Sequence, residues 1–283
     1  MKNILITALI ILSSNIHAQE LNEANKILIA AKQLSNDGYI DSAITTYELA
    51  FKQIEYVHSK HIYQIIELAK QRKDRDRIKK YKKQLKEKKK CNNTRLKAKI
   101  DSISEWDRMI RMGVFARHIG YYNEYNQDTL CDKNSIKYLE AKKYYDSAMV
   151  IDANNQQALL DMLKKEGGYK GQAAIGSKND YPYYLLLLHF DTDTNNRILK
   201  PYLDEALEKG YLTTLTYTYV LDRHEYHTMG TQTYWLWPIL KEDPNLTDEQ
   251  IAEANERRKS MGIFSKISSI EKKGDDWLII NEK

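Results

Sequence analysis

The sequence predicts a mainly α-helical protein in which paired N-terminal helices pack against a C-terminal helical domain. Three observations carry that prediction. The 283 residues include only 11 Gly and 4 Pro, too few for a chain built from tight β-turns. Apolar residues recur at helical spacing through most of the chain, as in Leu21–Leu34 and Ile40–Tyr56. Helix-ending signals, Asp37-Gly38 and Gly167-Gly168 above all, punctuate that pattern. With 42% hydrophobic and 29% charged residues, collagen-like, disordered and low-complexity classes are excluded. Tyr contributes 21 aromatics beside 4 Trp and 4 Phe, which suits half-buried faces.

Residues 1–18 read as a signal peptide rather than as part of the fold. Lys2 supplies a positive start, Ile4 to Leu12 an apolar stretch, and Ile16-His17-Ala18 a cleavage site before Gln19. No later apolar run reaches the roughly 18 residues of a membrane-spanning helix. The mature chain is therefore expected to be exported, periplasmic or secreted, without a transmembrane segment. Cys91 and Cys131 are its two cysteines, and whether they pair is left open by the sequence.

Residues 19–90 read as a helical arm. Ala30, Ala31 and Leu34 on a first helix, followed by Ala43, Tyr47 and Ala50 on a second, resemble a tetratricopeptide repeat. Small Ala residues there let two helices approach closely, and Tyr47 fills the groove between repeats. A shift of 35 residues gives a degenerate copy in which Ala31 maps to Ile66, Ala50 to Leu85 and Tyr47 to Lys82. Two such repeats rarely bury enough surface alone, so the arm is expected to dock on later helices or another chain. The resemblance implies a protein or peptide partner near Leu34, Tyr47 and Tyr63; ordinary helix packing is the plainer alternative.

Charge divides along the chain. Residues 19–100 hold 20 Lys and Arg against 10 Asp and Glu, and residues 70–90 alone hold 13 against three. That basic segment is either a solvated helix face or a contact for an anionic surface. Export and the lack of interleaved aromatics argue against nucleic acid. Residues 91–100 read as a linker, 101–240 as the main helical domain, and 241–283 as a tail with one helix.

Helical patterns follow at about 98–124, 134–150 and 153–166, closed by Gly167-Gly168. Tyr183 to Phe190 is the most apolar stretch of the mature chain and reads as a central buried helix. A further helix starts near Asn195, is bent or restarted at Pro201, and ends at Gly210. Residues 213–226 are ambiguous between helix and strand because of their Thr and Tyr content. A clear helix at 247–260 follows Asp243-Pro244, with room for a short strand at Trp277–Ile280.

Polar residues gather where the apolar patterns stop. Asp107 and Arg111 lie four apart on one helix face. His189 ends the apolar helix and precedes Asp191; Asp222-Arg223-His224 precedes His227 and Gly230-Thr231-Gln232. Together with Gly168-Tyr169-Lys170 and Gly176, these pieces resemble a bacterial domain of unknown function, number 6624, over about residues 101–240. Three positions depart from its pattern: Arg108 stands for Gln, Tyr169-Lys170 for Trp-Pro, and Met229 for Tyr. The resemblance implies a site and no particular reaction.

Each site residue has two readings. His189 oriented by Asp191 is a general base, or a helix cap. Asp222 and Arg223 bind an anionic substrate, or form a buried ion pair with Asp107 or Asp191. Gly230, Thr231 and Gln232, with Asp107 and Arg111, would contact substrate. His189, Asp191, His224 and His227 make a conceivable metal set, but no recognised ligand spacing is present, so neither metal nor cofactor is assigned. Trp235, Trp237 and Tyr181, Tyr183 and Tyr184 either stack on sugars or fill the core. The sequence thus favours an exported binding or scaffolding protein of the cell envelope. The competing reading is a hydrolase-like enzyme with His189 as base and Arg223 and Gln232 holding substrate.

Overall fold

The computed structural model describes residues 21–128, 131–190, 198–240, 244–273 and 276–282. The predicted signal peptide, Asp191 and the helix start near Asn195 lie outside them. The described chain is mainly helical, and none of its helices is long and apolar enough to cross a membrane. It divides into two compact units, one formed by the residues up to Leu85 with those from 191 onward, the other by Lys86–Phe190. This boundary cuts through the 101–240 segment that the sequence suggested as one domain.

In the first unit, α1 (Glu23–Asn36) and α2 (Ile40–Ala50) form a hairpin, followed by α3 (Ser59–Gln71) and α4 (Arg75–Lys88). Ala31, Ala43 and Ala50 are fully buried and Tyr47 is packed among them, as close helix approach requires. Ala30 instead faces outward. In α4 only Tyr81 and Leu85 are buried. Part of its positive charge is answered within the arm, since Arg77 and Lys80 pair with Glu48; Arg72, the C-cap of α3, pairs with Asp41.

The surface that two hairpins cannot bury alone is covered by the C-terminal segment. Asn25 Nδ2 donates to Leu207 O (3.0 Å) and Tyr211 Oη to Glu55 (2.5 Å). The backbone of Tyr56 donates to Lys209 O. These bonds come from α10 (Lys200–Glu208, Pro201 in its first turn) and the turn after it. The ambiguous 213–226 stretch is helical: α11 (Thr214–Met229) starts at the Thr213 cap and stops at Gly230 in the left-handed conformation. Thr247 and Gln250 close a capping box on α12 (Asp248–Ser260). The expected terminal strand belongs to an antiparallel sheet of order β1-β3-β2: β1 (Ile239–Leu240), β2 (Ile267–Lys273) and β3 (Asp276–Asn281). The sheet packs Ile267 and Ile279 against Ala254 and Trp235.

In the second unit, α5 (Thr94–Arg111) begins inside the predicted linker, because Asn93 caps it by accepting from Leu96 N. The helix expected over 98–124 is broken: Met112 is extended and Gly113 has φ +65°, a value glycine tolerates at little cost. α6 (Gly113–Gln127) resumes after it. Conversely, the two helices expected at 134–150 and 153–166 are one, α7 (Ile136–Glu166), ended by Gly167 at φ +66°. Nothing between Val150 and Ala153 breaks a helix. Rings join α6 to α7, with His118 stacked on Tyr144 and Tyr122 on Tyr145, centroids 4.3 Å apart in both. Two short helices, α8 (Gly171–Ile175) and α9 (Asp180–Leu188), complete the unit. Cys91 and Cys131 are both free thiols, so the bridge left open by the sequence is not formed.

Candidate functional site

In the Lys86–Phe190 unit, Asp107 is the centre of a polar cluster. It sits on the inward face of α5, 4% exposed, four residues before Arg111. One Asp107 oxygen accepts from Arg111 Nη1 (2.7 Å); the other lies 2.8 Å from His189 Nδ1. Arg111 Nη2 reaches Asp152 on α7 at 2.9 Å. His189 is the C-cap of α9, where the helix ends and the ring is freed to turn toward Asp107. A histidine that donates Nδ1–H to a carboxylate keeps Nε2 as a proton acceptor, the arrangement of an oriented general base. The carboxylate beside His189 is Asp107, a residue the sequence reading placed at the substrate; Asp191, named there for orienting His189, is not among the described residues. Arg108, which stands where the resembling family has Gln, is exposed.

The other predicted catalytic group belongs to the first unit and braces a loop. Asp222 is fully buried in α11 and accepts from Tyr234 N (2.8 Å) and Leu236 N (2.7 Å). Burial and the nearby Glu225 push its pKa up to about 8, while those two amides and Arg258 act in the opposite direction. Gln232 closes a two-way pair with the Trp237 backbone, donating to its carbonyl and accepting from its amide. Glu225 accepts from the amide and hydroxyl of Thr233, both at 2.8 Å. Arg258, 0% exposed, donates to Tyr234 O (2.7 Å), Ser265 O (3.2 Å), Asn281 Oδ1 (2.5 Å) and Trp235 O. Between these anchors Trp235 is held at φ +53°, a conformation costly for any residue with a side chain. Asp222 and Gln232, proposed for chemistry from sequence, therefore hold the 232–237 loop. Arg223 stacks its guanidinium 4.5 Å from the Trp237 ring centroid. Gly230 is the C-cap of α11 and Thr231 is exposed.

Of the conceivable metal ligands, His224 is buried and His227 exposed. Among the described residues no group of three or more His, Cys, Asp and Glu is placed to hold a metal ion. Of the aromatics proposed for sugar stacking, Tyr183 and Trp235 are core residues, while Tyr181 is 66% exposed.

On the arm, Leu34 is half-buried against the core, Tyr47 is buried, and Tyr63 is exposed. Beside Tyr47 lies a small, partly open cavity of about 30 Å³ between α1, α3 and the start of α11. Lys32, Lys60, His61 and Gln64 border it. Gln64 Oε1 accepts from Tyr47 Oη (3.0 Å) and lies 3.2 Å from His61 Nδ1. Burial lowers the His61 pKa to about 4, with Lys60 and Lys32 adding to it, and burial also lowers both lysines. Sequence reasoning missed this cavity because its parts come from positions far apart and fit no motif. No protein-family model, curated protein or solved structure matches the chain.

Proposed function

We propose that the protein is an exported binding protein of the cell envelope, using a tetratricopeptide-like arm to hold a protein or peptide partner. The observation that carries this reading is the cavity on the arm, where polar groups of α1 and α3 open to solvent; Tyr63, exposed, is on α3 as well. The basic residues of α4 left exposed, Lys82 and Lys83 among them, offer a second, anionic contact. The test is a photo-crosslinking residue at position 63, with the same residue at exposed Glu256 as control. A discrete adduct at 63 and none at 256 is expected; equal labelling from both positions would overturn the reading. Export is tested by sequencing the mature N-terminus, which should start at or next to Gln19.

A second reading is favoured by one distance, the 2.8 Å between His189 Nδ1 and Asp107. On it the protein is hydrolase-like, with His189 as base and Asp107, in place of Asp191, as its orienting carboxylate. Hydrolysis of envelope-derived polymers lost in His189→Ala would establish it; no hydrolysis by the unmodified chain would remove it.

A further inference from the structure

The arm cavity brings positive groups together without a counter-charge. Lys32 on α1 and Lys60 on α3 both border it, and each is close enough to the other for their repulsion to register on Lys32. None of the residues lining it is Asp or Glu. Lys32 spends one donor on Gly262 O (2.5 Å) and lies over the Phe264 ring. An ammonium has three donors, so two remain for a ligand. Gln64 uses its carbonyl oxygen on Tyr47 and His61, which leaves its amide N–H groups as further donors. Thr214 and Leu215 of the first turn of α11 also line the cavity, and amides at that position have no acceptor inside their own helix.

Lys32 is half-buried beside exposed Lys60, and no carboxylate lining the cavity offsets their mutual repulsion. The arrangement becomes favourable when an anion completes it. We propose that this cavity is a binding subsite for a compact oxyanion, the carboxylate or phosphate group of a ligand, held by Lys32, Lys60 and Gln64 at the start of α11. The subsite deepens the binding reading above and rests on it. Lysine and amide donors suit either oxyanion, since a point charge imposes no planar geometry.

The test titrates the mature full-length chain with inorganic phosphate and, separately, with acetate at low ionic strength, reading heat of binding and the shift in Tm. Saturable binding is expected with at least one of them. Phosphate bound more tightly than acetate assigns the subsite to phosphate-bearing ligands, and the reverse order to carboxylates. Lys32→Met and Lys60→Met should each weaken that binding by about tenfold, the loss of one charge-assisted contact. Lys83→Met, on exposed α4, should leave it unchanged. Lys60 is exposed, so its variant should fold, and circular dichroism checks that. In the unmodified chain, phosphate should also protect Lys32 and Lys60 from acetic anhydride. Absence of saturable binding, or equal binding by Lys60→Met and the unmodified chain, would overturn the subsite. Retention of the position-63 adduct in that case would leave the broader binding reading standing, so the two failures separate.

Discussion

His189 Nδ1 lies 2.8 Å from Asp107 Oδ2, joining the end of α9 to the inner face of α5 across 82 residues of sequence. The same carboxylate also accepts from Arg111, so both its oxygens are used. Asp107→Asn keeps the shape but turns one N–H toward a donor and removes the charge that balances Arg111. A loss of about 2–3 kcal/mol is expected in urea unfolding, as for breaking a largely buried charged hydrogen-bond pair. A change under about 0.5 kcal/mol would mean that the cluster behaves as a solvated surface pair.

The loop at 232–237 depends on two buried side chains, one taking its amides and the other its carbonyls. Asp222 takes the amides of Tyr234 and Leu236, while Arg258 takes the carbonyls of Tyr234 and Trp235. Arg258→Met should therefore cost about 3–5 kcal/mol, since it orphans the carbonyls of Tyr234, Trp235 and Ser265 together. Asp222→Asn should cost less, and the double variant less than the sum, because both act on one strained turn. Strict additivity in thermal unfolding would refute the shared brace.

These clusters differ in how readable they are. Asp107 and Arg111 announce themselves by their spacing of four on an otherwise patterned helix. Thr247 with Gln250 and Gly167 likewise mark helix ends through local chemistry alone. Arg258 does not, because it stands in a run of charged residues that looks like a solvated face, and its partners are carbonyls, which every residue has. The break at Met112-Gly113 is equally hidden, since a lone Gly inside an apolar pattern is compatible with a continuous helix. Lys32 and Lys60 belong to helices whose alignment is decided by packing, so their pairing has no signature along the chain.

Gly210 is where backbone and packing constraints coincide. Its φ is +79°, and a Cβ there would stand 2.2 Å from Tyr56 O. Gly210→Ala combines conformational strain with a backbone clash and should lower stability by about 3 kcal/mol or more. Gly38 has a similar φ of +82° with nothing near its missing Cβ, so Gly38→Ala should cost only about 1 kcal/mol. Equal effects in denaturant titrations would show that contact with Tyr56 contributes nothing.

His61 should make the arm acid-sensitive. Burial lowers its pKa to about 4; the bond to Gln64 opposes that shift, and the charges of Lys60 and Lys32 add smaller contributions to it. In the unfolded chain the ring titrates near its ordinary 6.5. Between these values the unfolded state binds more protons, so the stabilising contribution is complete above about pH 6.5 and is lost as pH falls toward 4. The shift corresponds to roughly 3–3.5 kcal/mol at most across that window. Carboxylates titrate there too, so the contribution is isolated by comparing the unmodified chain with His61→Gln: the variant should lose less stability between pH 6.5 and 4. Parallel curves would rule out His61 as the source. An oxyanion beside Lys32 and Lys60 should favour the protonated ring, so phosphate should make the unmodified chain's pH dependence shallower and leave that of His61→Gln less altered.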